Sequence, residues 1–298
     1  MKKNRTLKFF IALVIVLAIL GSIGLGGFFL LDKVVVPKYF GAFGINNMAD
    51  LTQMMSTLYA SKDESHLISN GFSSADLSVA ENKLISVDFP KLENGKLDYK
   101  GIADDDYTPA SETITLTDKE LASVLNGMLE SGILTERLSG LQYINTLNME
   151  LLEVIINPKI ENGVLDPNSA KMEFMLKINT TGIKTQMADE MQMPLFLLNM
   201  IIPKTLYIEV NFDLNITGEG WQYTNSTIGI NGRTSEQSTI LLNLLIKFIF
   251  PAEDNMDLDG LNNEFGKIVL EGIELLGDIK FTNNIYATRQ NGVVLTFK

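Results

Sequence analysis

The chain has 298 residues, of which 46% are hydrophobic, and its 36 Asp and Glu outnumber 24 Lys and Arg to give a net charge of −12. This acidic excess argues against nucleic acid and anionic lipid head groups as surface partners, although it does not oppose an apolar ligand held inside. The lack of cysteine excludes disulfides, thiolate nucleophiles and cysteine-based metal sites.

The first predicted element is an apolar run, residues 9–31, that contains no charged side chain. As a helix with a rise of about 1.5 Å per residue it is about 35 Å long, enough to cross a hydrocarbon core of about 30 Å. Four cations lie within residues 1–8, so the positive-inside rule places the N-terminus in the cytosol. We therefore predict a basic tail, a single transmembrane helix in the plasma membrane, and an extracytoplasmic remainder.

The alternative for this run is a cleavable signal peptide, which the glycines between Gly21 and Gly27 favour. However, no small-residue cleavage site closes a short apolar region, and Phe28–Leu31 extends the run past the point where cleavage would fall. The sequence therefore predicts a span that is retained as an anchor.

Residues 32–75 are predicted to join the span to the outer domain, with Pro37 ending the anchor helix near the membrane surface. A polar stretch over residues 61–75 is typical of a linker. Before it, apolar residues at spacings of three and four predict an amphipathic helix: Met48, Leu51, Met54, Met55 and Leu58. This helix lies on the bilayer or packs on the domain, and the lack of basic residues on its polar face favours packing.

The predicted domain, residues 76–298, contains a nine-residue motif twice, at Pro90–Asp98 and Pro158–Asp166. Each copy contains Asn-Gly, which favours the tight turn of a hairpin because both central residues of a type I′ turn need positive φ. Strand-like runs precede both copies, at Lys83–Phe89 and Asn148–Ile156, and Asn291-Gly292 lies between two further runs. We predict antiparallel hairpins at these places, the first two being either a duplication or a shared convenient turn.

Two longer runs, Met172–Asn179 and Thr205–Ile216, alternate apolar and polar residues and predict strands with one buried face. The second strand is about 40 Å long, which favours a curved sheet.

Helices are predicted between these strands. Thr117 and Glu120 have the spacing of a capping box and open a helix that runs through Leu129. Two more helices are predicted at residues 235–250, which are apolar on nearly every side, and at residues 257–276.

The sequence offers little for catalysis. Its only histidine, His66, lies in a polar loop, and the common nucleophile, zinc-protease, P-loop and dinucleotide motifs are missing. Residues Asn255–Gly260 match part of a calcium-binding EF-hand loop, but Gly266 stands where the bidentate glutamate is needed. We therefore predict that the protein is not an enzyme and that it binds no metal or other cofactor.

An apolar surplus is the feature that suggests a ligand. Residues Met187–Pro203 are rich in methionine, whose flexible thioether suits variable apolar partners, and residues 240–250 add a second apolar segment. Ordinary core is the alternative explanation. The predicted ligand-binding residues come from these two segments: Met191, Leu195, Phe196, Leu198, Ile201, Leu241, Leu244, Leu245 and Phe248.

The anchor, the long curved antiparallel strands, the apolar helices and the run Thr113–Asn126 together resemble the tubular lipid-binding (TULIP-like) superfamily, in particular its anchored extracytoplasmic members in Gram-positive bacteria. The resemblance covers residues 72–298 and implies an α+β fold, in which a bent antiparallel sheet wraps around apolar helices. It also implies a groove that takes lipid or acyl chains. The alternative is an anchored envelope scaffold or protein-interaction module with a solid core, whose protein partners the sequence does not identify.

Overall fold

The computed structural model describes residues 27–41, 45–58, 68–103, 112–134, 148–190, 202–218, 220–234, 269–285 and 290–296, together with Leu195, Leu198, Asn199, Leu242 and Gly266. Contacts divide the chain into two compact units, Met1–Ser56 and Thr57–Lys298.

The first unit is helical from residue 27, through a π-helical turn at Leu31–Val35, to helix α1 at Val36–Phe40. The prediction that Pro37 ends this helix is wrong. A proline inside a regular helix clashes with the carbonyl four residues earlier. Here the wider π turn, closed by the Val36 N–H donating to Leu31 O, comes directly before the proline and relieves that clash.

The predicted membrane span falls almost entirely outside the described residues, which begin at residue 27. Within the part of the chain that the structure describes, no helix has the length and apolar character needed to cross a membrane.

The amphipathic helix predicted next is confirmed as α2, Met48–Leu58. Its first turn is capped from two sides: the Asp50 N–H donates to Asn47 Oδ1 at 2.9 Å, and the Met48 N–H donates to Asp32 Oδ1 at 2.6 Å. These bonds satisfy N–H groups that have no partner inside the helix. Leu51 is buried whereas the next two residues are exposed, as an amphipathic helix requires.

In the second unit, helix α3 spans Ser74–Ser86 and opens with a capping box formed by Ser73 and Asp76. It covers the start of Lys83–Phe89, so the strand predicted there is wrong. Ala80 and Leu84, spaced for one helix face, are both buried. The cap and this spacing therefore outweigh the β-branched residues of the run.

The remaining elements of the second unit are short helices and long strands. The helices are α4 at Tyr99–Ile102, α5 at Asp118–Glu130, α6 at Thr181–Glu190 and α7 at residues 269–276. The strands are β1 at Thr113–Thr117, β2 at Asn148–Glu161, β3 at Val164–Asn179, β4 at Thr205–Thr217, β5 at Gly220–Ile230, β6 at Asp278–Ile285 and β7 at Gln290–Thr296.

All strand pairs are antiparallel and form two sheets, one ordered β2-β3-β4-β5 and the other β1-β7-β6. The predicted α+β class with antiparallel sheets is therefore confirmed. Register shifts within the β2–β3 and β4–β5 pairs bend the four-stranded sheet, because a bulge increases local twist.

The predicted Asn-Gly turns have three different outcomes. Asn162 and Gly163 have φ of 52° and 81° and form the predicted hairpin turn between β2 and β3. Gly95 also has a φ of 81°, but its turn closes a single bridge, Lys91 to Leu97, and follows a helix instead of a strand. Asn291-Gly292 lies inside β7, where Gly292 pairs with both β1 and β6, so the turn predicted there is wrong.

The four-stranded sheet has an apolar inner face and a polar outer face. Alternate residues of β4 point inward and are buried: Leu206, Ile208, Val210, Phe212 and Leu214. Between them Glu209, Asn211 and Asp213 are partly exposed on the outer face. The alternation predicted for Thr205–Ile216 is thus confirmed, except that Tyr207 on the outer side is also buried and Ile216 is not.

Helix α5 begins at the predicted capping box, in which the Glu120 N–H donates to Thr117 Oγ1 and the Thr117 N–H donates to Glu120 Oε2. It packs on β2 and α3. A side chain at Gly127 would collide with the ring of Tyr99, 2.4 Å from the ideal Cβ position. The glycine that weakens the helix is therefore needed for close packing of α4.

A second helix packs between α5 and the inner face. Residues 266 and 269–276 are helical, and the ideal Cβ position at Gly266 lies 3.8 Å from Phe212 of β4. At Gly272 the ideal Cβ position lies 2.5 Å from Leu125 Cδ2 of α5 and 3.3 Å from Leu134. Gly266 thus lies against the sheet, and α7 packs on α5 at Gly272.

Substituting these two glycines should have opposite effects. Gly272→Ala should lower the free energy of unfolding by about 1–3 kcal/mol, because Leu125 and Leu134 are buried and leave no room for a methyl group. Gly266→Ala meets Phe212 at an ordinary contact distance and should gain up to about 1 kcal/mol from helix propensity. Denaturant unfolding of both variants measures the difference, and a stabilised Gly272→Ala protein would contradict this packing.

Candidate ligand-binding site

Two of the nine predicted ligand-binding residues lie in the described part of the chain. Leu195 is 42% exposed, and Leu198 is fully buried. The other seven lie outside the described residues: Met191, Phe196, Ile201, Leu241, Leu244, Leu245 and Phe248. Leu242, a neighbour of these in the second apolar segment, is also fully buried. Each apolar segment therefore sends at least one side chain into the interior of the second unit.

A pair of lysines lies at the end of the first apolar segment. Lys184 of α6 is buried, and its Nζ donates to Ile202 O at 3.4 Å. Lys204 is held nearby, because its carbonyl oxygen accepts from the Thr180 N–H at 3.0 Å. Burial lowers the pKa of the Lys184 ammonium below its ordinary value, and the charge of Lys204 lowers it further. An anion bound here would offset both the lost hydration of the Lys184 ammonium and its repulsion by Lys204.

On the outer face, a buried carboxylate holds the segment that precedes α3. Glu153 of β2 is 4% exposed, and its carboxylate accepts from the Ser69 N–H at 3.0 Å, from Ser69 Oγ at 2.8 Å and from the Asn70 N–H. Ile68 packs on the apolar cluster of Leu152, Met175 and Tyr207. We call residues 68–71 the strap.

The strap also joins the sheet to α5. Asn70 Nδ2 donates to Asp118 Oδ2 at 2.7 Å, so one asparagine links the carboxylates of β2 and α5. Burial raises the pKa of Asp118 above its ordinary value, and the hydrogen bonds from the Lys119 N–H and Asn70 offset only part of that effect.

An ion pair between a buried glutamate and a half-buried lysine fixes the other side of α5. Lys83 Nζ of α3 lies 2.7 Å from Glu120 Oε2 and donates to Thr115 O at 3.0 Å. Glu120 is buried and also serves the capping box, so α3, β1 and α5 meet at one carboxylate. Removing Lys83 would be destabilising, because the Glu120 carboxylate would stay buried without its cation.

Sequence reasoning missed these buried polar groups. Glu153 stands inside the apolar run of β2, and that interruption is the only local signal of a special role. Its partners lie more than 80 residues earlier in the chain, a separation that no local pattern reveals.

The described residues contain no group of three or more His, Cys, Asp or Glu side chains that could hold a metal ion. His66 and the calcium-loop match at Asn255–Gly260 lie outside those residues.

No protein-family model, curated protein or solved structure matches the chain. The candidate sites are therefore the apolar interior beside the inner face and the polar surface of the outer face.

Weakening the Glu153 carboxylate should release the strap. In Glu153→Gln the neutral amide accepts more weakly, so the Ser69 and Asn70 amides should exchange with solvent about tenfold faster. Hydrogen exchange measured by mass spectrometry reports this segment directly. Glu150→Gln is the matched control, since Glu150 lies on the same strand but pairs only with Lys177, at 3.3 Å. Equal exchange of the strap in both variants would contradict its attachment to Glu153.

Asp118 should give the protein a defined pH dependence. A carboxyl whose pKa rises on folding stabilises the folded state while protonated, and that contribution is lost as the pH rises through the raised pKa. Asp118→Asn, which cannot ionise, should therefore gain stability relative to the parent protein as the pH rises from about 4 towards neutral. Thermal unfolding monitored by circular dichroism across this range provides the measurement.

Asp166→Asn supplies a control of opposite sign. The Ser169 hydroxyl and the Asn168 N–H beside its carboxylate lower the pKa of Asp166, so its contribution is present at neutral pH and is lost in acid. The Asp166→Asn protein should be less stable than the parent protein at neutral pH. The difference in stability should shrink as the pH falls. Parallel curves for Asp118→Asn and the parent protein would contradict the raised pKa of Asp118 in the folded state.

Proposed function

We propose that the protein is a membrane-anchored extracytoplasmic binding protein that holds a lipid-like apolar chain between the inner face of the four-stranded sheet and the helices beside it. The observation that carries the proposal is the long apolar inner face with a helix seated on it at Gly266. A bent sheet wrapped around an apolar helix is the arrangement that the superfamily resemblance implies.

The two apolar segments supply the material for such a site. Leu198 and Leu242 are fully buried, so both segments reach the interior of the same unit. An acyl chain gains about 0.8 kcal/mol for each CH₂ that leaves water, so even a partly enclosed groove holds it. The methionines of the first segment allow the walls to adapt to chains of different shape.

Lys184 and Lys204 suggest where the polar head group of the ligand lies. Lys184 and Lys204 lie where the first apolar segment ends, and their charges disfavour each other. A phosphate or carboxylate head group beside them would satisfy both ammonium groups while its chain extends into the interior. The proposed ligand is therefore an anionic lipid or fatty acid.

Anchoring follows from the apolar run at residues 9–31 and the cations before it. We propose that the second unit works at the outer surface of the plasma membrane, tethered through residues 57–67, where an apolar ligand is close at hand. Binding without chemical conversion fits the scarcity of catalytic motifs in the sequence.

A solid core is the alternative, and the complete burial of Leu198 and Leu242 favours it equally. In that case the unit is an anchored envelope scaffold or protein-interaction module. The two functions differ in whether purified protein carries a ligand. A protease site inserted between Ser56 and Ile68 allows the second unit to be released from washed membranes and weighed by native mass spectrometry. Bound lipid mass supports the binding protein, whereas a bare polypeptide mass supports the scaffold.

A bulky residue in the second apolar segment should block the ligand. Leu245→Trp should abolish the bound lipid mass and leave the unit folded, because the indole fills space that the chain occupies. Leu242→Trp is the matched control, since Leu242 is fully buried and the larger ring should destabilise the unit by about 1–3 kcal/mol. If both variants unfold alike and the parent carries no lipid, Leu245 belongs to the core and the lipid proposal fails.

A further inference from the structure

The outer face of the four-stranded sheet carries a polar groove at the end where the β2–β3 hairpin turns. One rung of the sheet crosses all four strands, with Asn157 opposite Lys171, Lys171 opposite Asp213, and Asp213 opposite Thr224. The next rung pairs Ser169 with Asn215. These side chains line a cavity of about 410 Å³, within the range of pockets that take small molecules.

The groups of this groove are ordered before any ligand arrives. Ser169 Oγ donates to Asn215 Oδ1 at 2.7 Å, and Asn225 Nδ2 donates to Asp213 Oδ2 at 2.7 Å. Asn225 reaches Asp213 because the register shift in β4–β5 gives it the left-handed conformation, with a φ of 53°. A bulge that re-aims a side chain into a cavity is typical of binding sites.

The charges of the groove are internally compensated. Lys171 Nζ pairs with Glu173 at 2.8 Å, and Lys159 Nζ pairs with Glu161 at 2.8 Å. Each glutamate raises the pKa of its lysine, and Asp213 lies directly opposite Lys171 in the β3–β4 register. A phosphate or carboxylate ligand beside Lys171 would therefore meet the Asp213 carboxylate on the neighbouring strand.

The donors and acceptors alternate at short range. Lysine ammonium groups and the Asn215 amide donate, whereas the second oxygen of Asp213 and the Asn225 carbonyl accept. A hydroxyl group both donates and accepts, so a ligand with neighbouring hydroxyls matches this pattern where an anion does not. A peptide bound by strand addition needs a sheet edge, and this groove crosses the face of all four strands.

We propose that this groove binds a neutral saccharide chain, with Asp213 and Lys171 at its centre. The site lies on the opposite face of the sheet from the apolar interior. It therefore stands whether or not the inner face holds a lipid.

The test uses the full-length protein in lipid nanodiscs, which avoids glycoside detergents. The probes are the β-1,4-linked tetramer of N-acetylglucosamine and maltotetraose, titrated by calorimetry and by saturation-transfer NMR. Saturable binding of either probe, unaffected by added inorganic phosphate, is the expected result. Lack of saturable binding by both probes, or displacement by inorganic phosphate, would overturn the proposal.

Matched variants locate the site. Asp213→Asn should weaken binding about tenfold, as expected for one lost charge-assisted hydrogen bond. Glu209→Gln should leave affinity within about twofold, although it lies on the same strand and face and also accepts from an asparagine, Asn211. A loss confined to Glu209→Gln, or equal losses in both, would overturn the assignment.

A second pair of variants keeps the test decisive if Asp213→Asn does not fold. Lys171→Gln should weaken binding, whereas Lys177→Gln on the same strand and face should not, because Lys177 pairs with Glu150 away from the groove. Thermal unfolding of every variant shows which comparison is valid. Unchanged binding in folded Lys171→Gln protein would exclude the groove.

Discussion

The four-stranded sheet presents one continuous apolar face, and the need to keep that face from water determines how the second unit is arranged. Strands of 11 to 16 residues carry more apolar surface than a single short helix covers. Helix α5, the helix around Gly266 and the three-stranded sheet all pack around it. Burying one large apolar side chain contributes about 1.5–3 kcal/mol, so this packing dominates over any surface ion pair. The glycines at 127 and 272 matter because they let helices approach closely.

Local patterns in the sequence predicted those elements whose residues determine their own structure. The alternation in β4 was sufficient to predict that strand, and the capping box at Thr117 was sufficient to predict the start of α5. Strand faces and helix caps depend on neighbours within a few residues. The strand predicted at Lys83–Phe89 failed because a helix cap ten residues earlier, at Ser73, extends the helix into that run. The turn predicted at Asn291-Gly292 was wrong because sheet pairing on both sides of β7 outweighs the turn preference of the dipeptide.

The candidate sites were less predictable for a different reason. The strap depends on Glu153 meeting Ser69 and Asn70, and the polar groove depends on strands that are adjacent only after folding. No spacing in the sequence distinguishes Asp213 from the other acidic residues on the outer faces of strands. The lipid-binding residues were predicted from apolar surplus alone, and apolar surplus is equally the signature of a core. Composition therefore indicated an apolar interior, and only a measurement of bound ligand separates a groove from a core.

One irregularity shapes both faces of the sheet at once. The register shift between β4 and β5 brings Asn225 to Asp213 on the outer face, and in the next residues it sets Tyr223 edge-on to Phe212 on the inner face. Phe212 in turn contacts Phe174 and lies beside Gly266 of the helix. Because packed interiors deform little, Phe212 fixes the position of the bulge from the inner face. The proposed saccharide groove and the proposed lipid site thus lie on opposite sides of a single bulge.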